Sequence, residues 1–177
     1  IGLSPDFTQL YDSSSQNNRV MRYDYNRVNR AATNPTIFAD AADGLEFPND
    51  IRFSPDGSKI YVANLNGGVS RFNLDGSNAG AKVMLPSTTG QGSTQTSSLV
   101  FTTTGELLAG AFADAGGAGG GVAISNSSVS AFSGYLVQPS PAIAGAAGLM
   151  IHDGYVYVSG LFTASIQRFA LANGQMD

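Results

Sequence analysis

Residues 48–76, PNDIRFSPDGSKIYVANLNGGVSRFNLDG, contain three apolar segments separated by turn-forming residues. Pro-Asp-Gly at 55–57 and Asn-Gly-Gly at 66–68 supply the residues that tolerate positive φ in tight hairpins. The pattern predicts an antiparallel meander, with a fourth strand at 82–85. The three predicted strands of this meander are Ile51–Ser54, Lys59–Ala63 and Val69–Asn73.

The same unit recurs along the chain at intervals of about 50 residues. Residues 1–6 match residues 51–56 at an offset of 50, and Phe53 recurs as Phe101 after 48 positions and as Ile151 after 50 more. Repeats of about 40 to 50 residues that each form a four-stranded meander are typical of β-propellers, in which one unit is one blade. We therefore predict an all-β fold, a single β-propeller domain whose four visible blades form an arc of a ring of six or more. The predicted blades cover approximately 1–47, 48–95, 96–146 and 147–177, and the last is incomplete.

The third unit carries an insertion at 114–126, which makes the position of its third strand ambiguous. We place that strand at Val129–Phe132, with Gly120–Ile124 as the alternative. The glycine-rich run 116–121 matches no phosphate-binding motif and indicates a flexible loop.

Composition restricts the classes of function. The net charge of −4, with few and scattered Lys and Arg, argues against binding to nucleic acid, which requires clustered cations. No run of about 18 apolar residues is present, so the sequence predicts no membrane span. The absence of Cys excludes disulfides and thiolate metal sites. Only 12% of the residues are charged, which favours a secreted, extracellular or periplasmic protein.

Three arginines, Arg22, Arg71 and Arg168, recur at one position of the third strand of their units, each followed by an aromatic residue. Stacking of the arginine stem on a neighbouring blade explains such a repeat without any ligand. We interpret these arginines as structural.

Residues 48–64, PNDIRFSPDGSKIYVAN, resemble the blade motif of the gluconolactonase and senescence-marker-protein propellers and of related NHL-like repeat proteins. The resemblance implies that the chain is part of a longer propeller. It also implies that Asn49 is a ligand of a divalent metal at the mouth of the channel, Ca²⁺ or a similar cation, with acidic ligands from other blades. The positions that match Asn49 and Asp50 are Ser97–Ser98 and Ala147–Gly148, which lack the expected Asp.

The candidate site residues lie where the chain enters or leaves the predicted inner strands. Asn49 and Asp50 are the candidate metal ligands, and an acidic run at 40–50 lacks the spacing of a calcium loop. His152, the only His, stands beside an Asp-Gly turn, which favours an exposed turn residue over a catalytic one. The predicted ligand-binding face consists of Asp12, Asn49, Asp50, Asn64 and Asp114.

The missing catalytic set favours a non-enzymatic function, and catalytic residues are left unassigned. We expect a secreted or envelope propeller that serves as a binding or structural module for a protein or carbohydrate partner. The alternative is a metal-dependent hydrolase of the lactonase type that uses Asn49 as a ligand. A further alternative is a subunit of an extracellular assembly, in which other blades or another chain complete the ring.

Overall fold

The computed structural model describes residues 1–86, 95–112 and 119–177, and it contains four antiparallel sheets in which the strands follow chain order. The first sheet contains β1 (Gly2–Leu3), β2 (Gln9–Ser14), β3 (Arg19–Asn26) and β4 (Ala31–Ala39). The second sheet contains β5 (Pro48–Phe53), β6 (Lys59–Asn64) and β7 (Val69–Asn73). The third contains β8 (Thr96–Phe101), β9 (Leu107–Ala111), β10 (Gly120–Ser125) and β11 (Phe132–Ser140). The fourth contains β12 (Ala146–His152), β13 (Tyr155–Gly160) and β14 (Ser165–Ala170).

Helical structure in the described ranges is limited to short 3₁₀ turns at Ser15–Asn17, Ala41–Asp43 and Pro141–Ile143. The described residues contain no helix long and apolar enough to span a membrane. Four meander sheets with almost no helix confirm the predicted all-β propeller, and the sheets form an open arc rather than a closed ring.

The second sheet shows how turn residues set the meander. Gly57 and Gly68 take φ values of +70° and +60°, as the hairpin signals predict. The predicted fourth strand is reduced to two isolated bridges, Val69 to Val83 and Phe72 to Asn78. On β7 the two bridging residues are closer together, by two residues, than their partners Asn78 and Val83 are on the opposite segment. A continuous ladder therefore cannot form between the bridges.

In the third sheet, β10 occupies the third position and pairs with both β9 and β11. The preferred placement of this strand at Val129–Phe132 is therefore wrong, and the alternative at Gly120–Ile124 is correct. Val129 lies instead in the turn before β11, with φ +50°, and its side chain is 3% exposed. Val129 is buried in a turn and Phe132 begins the outer strand, and the sequence pattern does not distinguish these residues from a third strand.

Apolar residues between consecutive sheets form three core clusters. The cluster between the first and second sheets includes Tyr11, Val20, Phe38, Ile60 and Phe72. The next includes Tyr61, Val69, Leu99, Leu107 and Val129, and the last includes Leu108, Val122, Val137, Val156 and Phe169. An edge-to-face aromatic pair recurs in the first two, with ring centroids 5.4 Å apart for Tyr11–Phe53 and 5.2 Å for Tyr61–Phe101. Each pair of consecutive sheets thus packs face to face through one cluster, and this packing holds the sheets in an arc.

The outward faces of the first and fourth sheets carry exposed apolar side chains, and none of these clusters of described residues joins the two sheets. Leu3 and Ile37 on the first sheet are 39% and 50% exposed. Met150 and Ile166 on the fourth sheet are 56% and 73% exposed. We call these two surfaces the open faces of the arc.

Candidate functional site

The innermost strands β1, β5, β8 and β12 contact one another in succession. Three of them contain a β-bulge at the same position near the start of the strand, at Asn49, Ser97 and Ala147. A bulge bends the strand and redirects the side chain of the extra residue. We call this end of the arc the channel mouth, and it is where the sequence predicts ligand contacts.

Asn49 connects three sheets at the channel mouth. Its Nδ2 donates a hydrogen bond to the carbonyl oxygen of Ser97 at 2.6 Å, and its own carbonyl oxygen accepts one from Ser13 Oγ at 3.2 Å. Its Oδ1 makes no hydrogen bond to any described residue. The amide NH₂ group of Asn49 therefore binds the neighbouring sheet, whereas its Oδ1 remains available to another partner.

Asp50 and Arg52 hold the backbone of the next sheet. The Oδ1 atom of Asp50 accepts from the N–H of Ile51, and Oδ2 accepts from the N–H of Leu99, both at 2.9 Å. Arg52 Nε donates to the Leu99 carbonyl oxygen at 2.8 Å, and its Nη2 lies 3.3 Å from Asp50 Oδ2. The Asp50 carboxylate is 14% exposed, forms an ion pair with Arg52 and accepts a backbone N–H group on each oxygen.

The third sheet continues this linkage with hydroxyl groups that sequence reasoning did not identify as important. Ser97 Oγ donates to the carbonyl oxygen of Ala146 in the fourth sheet. Thr96 Oγ1 and Ser98 Oγ are buried without a hydrogen-bond partner among the described residues. The signal in the sequence is Thr96-Ser97-Ser98 at the positions of Pro48, Asn49 and Asp50. The fourth sheet has Ala147 and Gly148 there, so it carries no side chain able to reach a following sheet.

The remaining predicted site residues are placed elsewhere. Asn64 is fully buried, donates through Nδ2 to Ser70 Oγ at 3.1 Å and accepts from the N–H of Glu46 at 2.9 Å, which fixes the β6–β7 hairpin. Asp12 alternates with Tyr11 along β2 and therefore lies on the open face of the first sheet. Asp114 lies outside the described residues. The structure therefore brings together only the two neighbours Asn49 and Asp50.

Asn49 and Asp50 alone do not supply a ligand set for the divalent cation that the family resemblance implies. Ca²⁺ takes about six to eight oxygen ligands, whereas the described residues contain no group of three or more His, Cys, Asp or Glu able to hold a metal. Both Asp50 oxygens accept backbone N–H groups, which compete with a cation. In the acidic run, Asp40 accepts from the N–H of Ala42 and Asp43 accepts from the N–H of Asp40. The ligand roles of Asn49 and Asp50 stay predictions.

The opposite end of the arc carries Ser-Pro-Asp turns. Ser54 Oγ donates to Asp56 Oδ1 at 2.6 Å, and the N–H of Ser58 donates to the same oxygen at 3.0 Å. These hydrogen bonds, that of Ser54 first, lower the pKa of Asp56 to about 2. The matching turn of the first sheet lowers the pKa of Asp6 through Ser4 and Thr8. His152 is exposed at the end of β12, beside the β12–β13 turn and 3.2 Å from Asp153, whereas the bulge at Ala147 that marks the channel mouth lies at the start of the same strand.

Residues 1–105 match the family described as SMP-30/Gluconolactonase/LRE-like region. This range covers the first two sheets and the first strand of the third. Among curated proteins, no sequence matches the chain significantly.

Solved structures with the same fold include a protein from Bacteroides uniformis assigned as a 6-phosphogluconolactonase, with 16% identity and a TM-score of 0.70 over 99% of this chain and 51% of that one. A structure of the nidogen/laminin complex matches at 17% identity and a TM-score of 0.70, over 98% and 59% of the two chains. The aldose sugar dehydrogenase of Streptomyces coelicolor in its PQQ-bound form matches at 18% identity and a TM-score of 0.65, over 98% and 63%. The chain spans about half the length of the first of these structures, and the likeness at such identities concerns the fold alone.

Proposed function

The chain belongs to the SMP-30/gluconolactonase/LRE-like family, and we propose that within it this arc serves as a binding module rather than as a metal-dependent lactonase. The observation that carries the proposal is what the side chains at the channel mouth bind. Asp50 and Ser97 bind the backbone of the next sheet instead of converging on a common point. Residues that hold the sheets together in this way are poorly placed to coordinate a catalytic cation.

The partner class that we propose is a protein. A similar propeller occurs in the nidogen/laminin complex, and the low content of charged side chains, 12%, fits a surface that binds through uncharged polar and apolar groups. We further propose that the protein acts outside the cytoplasm, at the cell envelope or as a secreted protein. A carbohydrate is the second partner class, since uncharged polar side chains also suit sugar hydroxyls.

The test is a titration of the purified chain with Ca²⁺, Mn²⁺ and Zn²⁺, combined with an assay of gluconolactone hydrolysis. We expect no rise in the unfolding temperature with any of these metals and no lactone hydrolysis above background. Asn49→Ala should lower the unfolding temperature, because it removes the hydrogen bond to Ser97, and leave the metal response unchanged. Metal-dependent stabilisation that disappears in Asn49→Ala but persists in Asp12→Asn would overturn the proposal.

A lactonase is the second candidate function, and one observation favours it. Asn49 Oδ1 makes no hydrogen bond to a described residue, so it presents one oxygen ligand where the family resemblance implies a metal ion. Carboxylates from outside the described residues would have to supply the rest of the ligand set. The same titration separates the two candidates, since only the lactonase requires Asn49 for both metal binding and hydrolysis.

A further inference from the structure

A pocket of about 400 Å³ lies between the first and second sheets, at the end of the arc opposite the channel mouth. It is lined by Tyr11 and Phe53, whose ring centroids are 5.4 Å apart, and by Leu74, which is 47% exposed. Two consecutive Ser-Pro-Asp turns contribute Asp6 and Asp56 to its lining. We call it the first inter-sheet pocket, and it combines apolar walls with two carboxylates.

Neither carboxylate of this pocket has a cationic partner in the described part of the chain. Asp6 and Asp56 accept hydrogen bonds from groups of their own turns, and neither residue belongs to an ion pair there. Those hydrogen bonds, with the serine hydroxyl first, lower the pKa of both carboxyl groups, so both are ionised at neutral pH. Arg22 lies opposite Tyr11 on β3 but does not line the pocket. The pocket therefore presents two negative charges that no described side chain pairs with.

A second pocket of about 290 Å³ lies between the second and third sheets and repeats the first. Tyr61 and Phe101 line it, at the positions that Tyr11 and Phe53 hold in the first inter-sheet pocket. Each pair of rings packs edge to face. The two pockets are therefore equivalent, and they differ in the charged side chains that line them.

The second pocket contains a lysine of the chain itself. Lys59 lines this pocket, and its Nζ donates to Asn73 Oδ1 at 3.0 Å. Gln9 holds the matching position in the first sheet, since the backbone N–H of each residue donates to the serine hydroxyl that opens its turn. The third sheet has Thr104 at the position of Asp56, so the second pocket has one carboxylate instead of two. A lysine and one carboxylate in the second pocket thus correspond to a neutral amide and two carboxylates in the first.

We propose that the first inter-sheet pocket receives a lysine side chain of the protein partner, with its stem against Phe53 and Leu74 and its ammonium group at Asp6 and Asp56. A lysine stem packs on apolar surface while its charged end stays near solvent, and both carboxylates are exposed. The ammonium group supplies three donors, and a carboxylate is a strong acceptor for them. The inference rests on the proposed protein partner and assigns it a contact away from the channel mouth.

The test is a titration of the ¹⁵N-labelled chain with Nα-acetyl-lysine N-methylamide at constant ionic strength, followed by amide chemical shifts. The N–H of Thr8 donates to Asp6 Oδ1 at 3.1 Å, and the N–H of Ser58 donates to Asp56 Oδ1 at 3.0 Å. These two amides therefore report on the two carboxylates. We expect both signals to shift and to saturate together.

Asp75 provides the matched control, because it accepts the N–H of Ser77 at 2.9 Å in a similar turn but does not line the pocket. Asp6→Asn and Asp56→Asn should each weaken binding of the lysine probe about two- to fivefold, the range of an exposed ion pair. Asp75→Asn should leave the affinity unchanged. Gln9→Lys should abolish the response to the probe, because the chain then supplies its own lysine as it does in the second pocket.

Two further probes separate the stem from the charge. Nα-acetyl-norleucine N-methylamide has an apolar stem without the ammonium group, and ammonium chloride has the charge without the stem. Neither should give a saturable shift at Thr8 or Ser58. An equal response to either probe, or no saturable response to the lysine probe, would overturn the inference.

Circular dichroism of each variant establishes that it is folded. A lysine response that Asp6→Asn and Asp56→Asn both leave unchanged would also contradict the inference, since the ammonium group would then bind elsewhere. The outcome is distinct from that of the metal titration and the lactone assay. Metal-dependent hydrolysis would overturn the proposed function even if the lysine probe bound, and failure of the lysine probe would leave the absence of metal binding standing.

Discussion

The second and fourth sheets share a strand pattern but differ in what covers them. In KIYVAN of β6, every residue from Ile60 to Asn64 is buried. In YVYVSG of β13, only Val156, Val158 and Gly160 are buried, and the residues between them are half-exposed. A strand with apolar residues at consecutive positions is suited to burial on both faces, and of these two sheets the second has a described neighbour on each side, whereas the fourth has one on a single side. The comparison shows that the same strand pattern leaves alternate residues half-exposed where no sheet of the described residues covers one face.

The largest expected effect is a difference between the two equivalent tyrosines. Tyr61→Ala should lower the free energy of unfolding by about 3 kcal/mol, because it leaves a cavity between two sheets next to Phe101. Tyr157→Ala, on the open face of the fourth sheet, should lower it by less than about 1 kcal/mol when both are measured by urea unfolding. Equal losses at the two positions would mean that Tyr157 is packed as tightly as Tyr61.

Asp50 tests the side chains that connect the second sheet to the third. Asp50→Asn should cost about 1 to 3 kcal/mol, because both oxygens accept backbone N–H groups and an amide must turn its NH₂ group toward one of those donors. Asp12→Asn, on the open face of the first sheet, should change the free energy of unfolding by less than about 0.5 kcal/mol. Urea denaturation measures both. A neutral Asp50→Asn would show that the contact with Leu99 contributes little to the packing of the sheets.

Much of the fold was predictable because local signals agree with one another. The strands of the second sheet match the predicted segments, since Gly57 and Gly68 supply the positive φ values that the hairpins need. The third sheet was harder because its third strand begins with glycines. A Cβ atom at Gly120 would overlap the carbonyl oxygen of Ile143, so glycine is required there by close packing and not by loop flexibility. Counting strands per unit, with β11 as the fourth, would have favoured the correct placement.

The candidate site was less predictable because its contacts depend on the neighbouring sheet. The sequence identified the position of Asn49 and Asp50 through the repeat and the family resemblance. It could not indicate that Asp50 faces the N–H of Leu99, since that contact spans 49 residues and is set by how two sheets pack. Asn64 was assigned to a binding face, yet its amide is buried. An Asn at the end of a strand looks the same in sequence whether it faces solvent or a hairpin.

A smaller effect is expected from the recurring arginines. Arg71→Met keeps an apolar stem but removes the donors to the carbonyl oxygens of Ala81 and Val129, and it should cost about 1 kcal/mol. Arg168→Met loses a surface ion pair with Asp177 and should cost less than about 0.5 kcal/mol. If urea unfolding showed Arg168→Met to be the more costly change, the Arg168 guanidinium would make a stabilising contact beyond its surface ion pair with Asp177.

The smallest expected effect concerns stability in acid, which depends on a hydrogen-bonded Ser-Asp-Ser turn that the second sheet has and the fourth sheet lacks. The second sheet has Ser54, Asp56 and Ser58 in its β5–β6 turn, whereas the fourth sheet has only Asp153–Gly154. The pKa of Asp56 is about 2 in the folded chain and about 3.9 for an unperturbed aspartate. Its stabilising contribution is therefore complete above about pH 4 and is lost as the pH falls toward 2.

Asp56→Asn should remove this part of the acid dependence and flatten the fall in unfolding temperature between these pH values. Ser54→Ala should raise the pKa of Asp56, because it removes the hydrogen bond that contributes most to the shift. Carbon-13 NMR titration of the Asp56 carboxyl group measures that pKa directly in the wild type and in Ser54→Ala. An ordinary pKa of Asp56 in the wild type would show that its carboxylate does not stabilise the turn. The β5–β6 turn of the second sheet would then add no acid-sensitive stability compared with the fourth sheet.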